Sequence, residues 1–223
     1  MQKEYFNKVA EYGQLIVVSG PSGVGKRTII KKYLEDHPNA IRCTSYTTRP
    51  QGPNEEEGVD YYFVSHEEFN QLIRSNQMLE WGYYRGNVYG TNRNAVEQLR
   101  EQGRKVILDL DVYGAMKVRT LCPDATLVFL VPPTWDELEE RIHKSKYIPE
   151  SEIEGRLEIA KEEVLCAEQY DYILINDTVE DTVRRLAQII NGSRYSRNSM
   201  KSFLKSYIES EISSELVDMI RAL

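Results

Sequence analysis

The chain has 223 residues, 41% hydrophobic and 28% charged, a balance that suits one folded unit with a sizeable core and does not require two domains. Its formal net charge of −7 argues against nucleic acid as the main partner, because gripping a phosphate backbone takes a surplus of Lys and Arg. No run approaches the roughly 18 apolar residues of a membrane span. The charged stretch Met1 to Glu11 lacks the apolar centre of a signal peptide, and Cys43, Cys122 and Cys166, without metal-ligand spacing, read as free thiols in a reducing cytoplasm.

Leu15-Ile16-Val17-Val18 reads as a buried strand, followed directly by Gly20-Pro21-Ser22-Gly23-Val24-Gly25-Lys26 and then by a helical pattern from Thr28 to His37, stopped by Pro38. Strand, glycine loop and helix in that order give a G-x-x-x-x-G-K match its meaning. Gly23 and Gly25 free the backbone to aim successive N–H groups at phosphate oxygens. The helix N-terminus adds partial positive charge, and Lys26 a full one. This is a nucleotide-phosphate cradle. One position departs from the pattern: after the lysine it asks for a hydroxyl that reaches Mg²⁺, and here Arg27 stands there, with Thr28 next. Arg27 either swings out to solvent or sets a cation where the metal would sit.

Further along, Ile41 to Thr48 reads as extended, Gln51 to Gly58 as an acidic loop and Asp60 to Val64 as a strand. Ser65 to Glu68 forms a capping box opening a helix to about Asn76. Leu79 to Tyr89 reads as an aromatic hairpin, and Asn92 to Gln102 as a helix ended by Gly103. Lys105 to Asp111 is a strand with carboxylates emerging at its C-terminal end, and Thr126 to Val131 another strand. Thr134-Trp135-Asp136-Glu137 reads as a second capping box, with a helix to about Lys144. A further helix starts at Ser151, with Ile153, Leu157, Ala160 and Val164 on one side; Tyr172 to Ile175 is a strand, and Glu180 to Asn191 a helix. Strands alternating with helices imply an α/β fold, a parallel sheet covered on both faces with ligands at the C-terminal strand ends. After a polar break at Gly192 to Asn198, apolar residues from Phe203 to Ile220 recur at helical spacing, as a tail packing on its own domain or a dimer-forming helix.

Taken in order, Gly20 to Lys26, Ser45-Tyr46-Thr47-Thr48-Arg49-Pro50, Gly58-Val59-Asp60-Tyr61, Leu79-Glu80-Trp81, Asn87-Val88-Tyr89-Gly90-Thr91, Leu108-Asp109-Leu110-Asp111 and Val131-Pro132-Pro133 resemble the guanylate kinases over about residues 15–190. The resemblance implies a P-loop kinase core (1–41, 94–139 and 158–192), an inserted GMP-binding subdomain (42–93), a lid (140–157) and a C-terminal helical extension (193–223). It implies ATP and GMP as substrates, with dGMP and a homodimer as open possibilities, Mg²⁺ as cofactor, and transfer of the γ-phosphoryl group of ATP to GMP in the cytoplasm. For ATP it points to Gly20, Pro21, Ser22, Gly23, Val24, Gly25, Lys26, Arg27, Thr28 and Asn176. For GMP it points to Ser45, Arg49, Tyr61, Glu80, Tyr89, Thr91 and Asp111, with Lys26, Arg141 and Arg156 catalytic and Asp109 an outer-sphere anchor for Mg²⁺.

The chemistry of guanine agrees. Its N1–H and N2–H₂ are adjacent donors that a Glu80 carboxylate can accept, and a Thr91 hydroxyl can donate to O6. Adenine lacks that edge and would leave a buried carboxylate unpaired. Asp109 and Asp111 read alternatively as buried structural carboxylates. Departures from the family accumulate at Arg27, at Gly52 where a second phosphate arginine is expected, and at Ser145 between Lys144 and Lys146 in the lid. At ~1.5–3 kcal/mol per charged hydrogen bond, two lost arginines would cost about 10²- to 10⁴-fold in kcat/KM. A weakened paralogue acting on another phosphorylated acceptor, or a nucleotide- or protein-binding module, is the alternative.

Overall fold

The computed structural model describes residues 12–144, 149–201 and 204. Five parallel strands form the main sheet: β1 (Leu15–Ser19), β2 (Ala40–Arg42), β7 (Lys105–Asp109), β8 (Thr126–Val131) and β9 (Tyr172–Ile175), in the order β2-β7-β1-β8-β9. Because successive side chains on β1 point to opposite faces, that strand divides two cores. Ile16 and Val18 pack on one side with Ile29 and Tyr33 of α1 (Lys26–Asp36), Leu138 of α5 (Trp135–His143) and Leu186 of α7 (Val179–Ser193). Leu15 and Val17 pack on the other with Val96 of α3 (Arg93–Glu101) and Ala115 of α4 (Val112–Leu121).

A second, four-stranded sheet stands beside the first, in the order β4-β3-β6-β5: β3 (Ser45–Thr47), β4 (Tyr61–Phe63), β5 (Met78–Tyr84) and β6 (Asn87–Asn92). Phe69 of α2 (His66–Arg74) closes its small core with Met78 and Val88. The hairpin between β5 and β6 turns on Arg85 and Gly86, whose φ values of 52° and 79° mark a two-residue turn of the twist that matches paired strands. Ser65 accepts from the Glu68 N–H and Glu68 reaches back to the Ser65 N–H, completing the expected capping box.

Several expectations are corrected. The extended stretch Ile41 to Thr48 breaks after Arg42, so that β2 joins the main sheet and β3 the smaller one. The strand through Asp111 ends at Asp109, because the Asp111 carboxylate accepts the Gly114 N–H at 2.7 Å and caps α4, a helix that no periodic apolar pattern announces. Thr134 caps α5 through the Glu137 N–H, but the Glu137 carboxylate turns to Arg141 instead of returning to residue 134, so the box is one-sided. The helix placed from Ser151 starts later, as α6 (Ile153–Leu165) after a 3₁₀ turn. Its Ile153, Leu157 and Ala160 join the first core, while Val164, next to the turn that carries the chain around the sheet, packs in the second. Ser145 and Lys146, and the C-terminal helix with its dimer seam except Leu204, lie outside the described residues.

Candidate functional site

The glycine loop runs from the end of β1 into α1. A Cβ on Gly20 (φ 140°) would lie 2.3 Å from the Leu130 carbonyl of the neighbouring strand, so only glycine lets the chain leave the sheet there. Gly25 (φ 98°) immediately precedes α1, and a Cβ would fall 2.7 Å from Asn176 Nδ2. The loop is braced from outside. Asn176 Nδ2 donates to the Val24 carbonyl at 2.6 Å, and Arg141 donates to the same carbonyl at 3.2 Å and to the Asn176 carbonyl at 2.9 Å. From α6, Arg156 Nη1 donates to Ser22 Oγ at 2.9 Å. Lys26 Nζ rests on the carbonyls of Gly20 and Pro21, curled over the space that its loop encloses. Thr28 is exposed in the first turn of α1. Under the loop lies Glu163, which sequence reasoning missed: burial pushes its carboxyl up, while Lys26 and the Ser22 N–H pull it down. Nothing in the pattern of α6 marks it.

On the second sheet, Glu80 of β5 stands opposite Thr91 of β6, and directly opposed residues on antiparallel strands share a face. Thr91 Oγ1 therefore donates to Glu80 Oε1 at 2.6 Å in a buried contact. Glu80 is 6% exposed. Burial pushes its carboxyl up to about 7; Thr91 and Lys117 pull against that, and Asp111 adds to it. Gly114 of α4 makes room, since a Cβ there would lie 3.0 Å from Glu80 Oε2. Asp111, capping α4, lies beside the same carboxylate. Lys117, also unread in the sequence, donates to the Trp81 carbonyl with its ammonium 5.0 Å from the indole centroid.

Between loop and pocket sits a cationic corner. Ser45 pairs in register with Tyr61, and Thr47 with Tyr89, so the second sheet gathers these residues at one end. The rings of Tyr61 and Tyr89 meet edge to face at 5.8 Å. Arg49 binds Glu55 through two hydrogen bonds, at 2.9 and 2.8 Å, and the Gly52 N–H donates to the same carboxylate at 2.8 Å. The Arg49 hydrogen bonds hold Glu55 below the usual carboxylate range against the pull of burial, aided by the Gly52 N–H and the charge of Arg27. Arg27 Nη2 donates to Tyr61 Oη at 2.7 Å, and its Nε lies 3.9 Å from Asp109 Oδ2. The half-exposed side chain thus sets its cation beside Asp109 while its tip is tied to Tyr61.

Among the described residues no group of three or more His, Cys, Asp and Glu is arranged to hold a metal ion, and no helix is long and apolar enough to cross a membrane. One carboxylate, Asp109, ends β7 beside the loop. That donor set suits an ion such as Mg²⁺, which keeps most of its ligands as waters and substrate phosphates.

A parallel α/β sheet with this loop at the end of its central strand defines a P-loop kinase fold. A family model described as guanylate kinase matches residues 12–193. The guanylate kinase of Synechococcus sp. (strain JA-3-3Ab) is 42% identical over 189 residues, 85% of this chain and 87% of that protein. That of Latilactobacillus sakei subsp. sakei (strain 23K) is 46% identical over 179 residues, 80% of this chain and 88% of that protein. The crystal structure of guanylate kinase from Anaplasma phagocytophilum matches with a TM-score of 0.71 at 30% identity, over 90% of this chain and 96% of that one. The chain belongs to the guanylate kinase family.

Proposed function

We propose that the protein transfers the γ-phosphoryl group of ATP to GMP, giving ADP and GDP, with Mg²⁺ as cofactor and residues 42–93 as acceptor unit. The observation that carries this reading is the buried Glu80–Thr91 pair of the second sheet, beside the main sheet that carries the loop of Lys26. Guanine N1–H and N2–H₂ donate to the Glu80 carboxylate. As they do, the single Thr91 proton turns from Glu80 to guanine O6. Adenine would aim its N1 lone pair at the carboxylate, and that repulsion rejects it. Ser45, Arg49, Tyr61 and Tyr89 take the GMP phosphate.

On the donor side, the loop N–H groups and the N-terminus of α1 hold the ATP phosphates. Lys26 leaves the Gly20 and Pro21 carbonyls for the β- and γ-phosphates, which are stronger acceptors. Asp109 would hold Mg²⁺ through water, and Mg²⁺ when bound supplies charge neutralisation at the phosphates. Residues 140–157 act as a lid: closing them brings Arg156 from Ser22, and Arg141 from its bracing contacts, towards the transferring group and excludes water. No side chain forms a covalent bond; alignment and charge stabilisation carry the reaction. We place it in the cytoplasm, which the free thiols of Cys43, Cys122 and Cys166 support.

The test is a coupled ADP-release assay with GMP, dGMP, AMP, CMP and UMP as acceptors and Mg-ATP as donor. GMP is expected to exceed AMP by at least about 10³-fold in kcat/KM, because rejecting adenine leaves a buried carboxylate unpaired. Equal rates with AMP, or none with GMP, overturn the assignment.

A further inference from the structure

The corner between loop and pocket holds two guanidinium groups against one ring. Arg27 Cζ and Arg49 Cζ each lie 5.5 Å from the centroid of Tyr61, although they come from different elements, α1 and the segment after β3. Their commitments differ. Arg49 is held by a bidentate carboxylate, Glu55, at 2.8 and 2.9 Å and is largely neutralised by it. Arg27 has a looser hold: one hydrogen bond to a neutral phenol and a 3.9 Å approach to Asp109, with the side chain 58% exposed. A guanidinium carries five N–H donors in a planar fork. Among the described residues, the only side-chain hydrogen bond from Arg27 goes to Tyr61.

Resting on the reading of GMP as acceptor, we propose that Arg27 binds the acceptor phosphate, as a second guanidinium beside Arg49 that reaches it from the donor loop. A nucleoside monophosphate carries close to two negative charges, and Arg49 shared with Glu55 offers little net charge to meet them. Arg27 supplies the missing cation. Tyr61 holds it in place by accepting at 2.7 Å, which ties the guanidinium to the second sheet. Asp109 limits its reach from the other side. Because Arg27 directly follows Lys26, the same turn of α1 then grips both substrates, and docking of the acceptor is coupled to the position of the donor loop.

The experiment uses the full chain and its Arg27→Ser and Arg27→Lys variants, with titration calorimetry of GMP, guanosine and ATP and steady-state rates with Mg-ATP. Arg27 is exposed, and thermal melting of each variant verifies that it folds. For Arg27→Ser, the GMP Kd and KM should rise about 10- to 100-fold, the worth of a charge-assisted hydrogen bond. Guanosine and ATP affinities should stay within about threefold. Arg27→Lys, keeping the charge without the fork, should fall between. If Arg27→Ser binds GMP like the native chain, or weakens guanosine as much as GMP, the proposal is wrong. A gain in Mg²⁺-dependent rate at unchanged GMP KM also overturns it, placing Arg27 at the metal. Failure of the native chain to bind GMP sinks the acceptor assignment and this proposal together; native binding with an unaffected variant sinks only the latter.

Discussion

Replacing Glu80 by Gln keeps the shape of the side chain and removes its charge, which separates the two things that this residue does. An ordinary glutamate titrates near 4.5, and burial moves Glu80 to about 7. At 1.36 kcal/mol per tenfold change, the folded state therefore disfavours the charged form by about 3 kcal/mol. The sign follows from proton uptake. Below about pH 4.5 both folded and unfolded chains hold the proton, and stability is unaffected. Between 4.5 and 7 the unfolded chain ionises first, so stability falls as pH rises, and above 7 the full cost is present.

Glu80→Gln escapes this cost, so its stability relative to the native chain should grow by about 2–3 kcal/mol between pH 5 and pH 8. For a chain of this size that is roughly 5–10 °C in Tm. GMP binding should move the opposite way. The Gln amide accepts one guanine donor and presents its own NH₂ to the other, so GMP should bind about 10²- to 10⁴-fold more weakly. In the native chain, GMP affinity should fall about tenfold per pH unit below 7, since docking requires the carboxylate. Denaturant titrations from pH 5 to pH 8, paired with calorimetry of GMP, measure both. Parallel stability–pH curves for the two chains, or GMP affinity within tenfold of native in Glu80→Gln, would refute the reasoning.

Glu55→Gln removes the bidentate competitor for Arg49, and the KM for GMP should fall about 3- to 10-fold in initial-rate measurements. Gly25→Ala forces a side chain into a left-handed backbone position and against Asn176, so melting should show a loss of at least ~1–2 kcal/mol. ATP affinity, read by calorimetry, should drop with it. Arg141→Ala strips the brace on the Val24 and Asn176 carbonyls and should lower stability by about 1–3 kcal/mol and raise the KM for ATP several-fold, with GMP affinity unchanged.

How far the site could be read in advance depended on sequence distance. The loop from Gly20 to Lys26 is a contiguous piece whose backbone conformation its own glycines dictate, so its shape was legible from a single stretch. Glu80 and Thr91 were legible because the motifs around them resemble a known family, and hairpin pairing then makes them neighbours. Arg27 was visible only as a departure. Its direction depends on Tyr61, 34 positions away in the chain, and on Asp109 at the end of another strand. The acidic loop stood out by composition, yet that Glu55 in particular would neutralise Arg49 depends on how the loop closes on the Gly52 N–H. Glu163 and Lys117 gave no signal, since a charged residue on an amphipathic helix is ordinarily solvated.

The same division applies to the fold. Apolar runs, glycine punctuation and caps are local, and they sufficed for four of the five strands of the main sheet and most helices. Whether a stretch such as Ile41 to Thr48 is one strand or two, and whether Asp111 ends a strand or begins a helix, is decided by the hydrogen-bond partners available in three dimensions. The amino-acid sequence alone marked a glycine–lysine loop on a parallel sheet and, through its resemblance to a family, the Glu80 and Thr91 side chains. Only the tertiary structure decided which charges neutralise one another in the crevice between them, because ion pairing falls off over a few ångströms and those distances are set by packing.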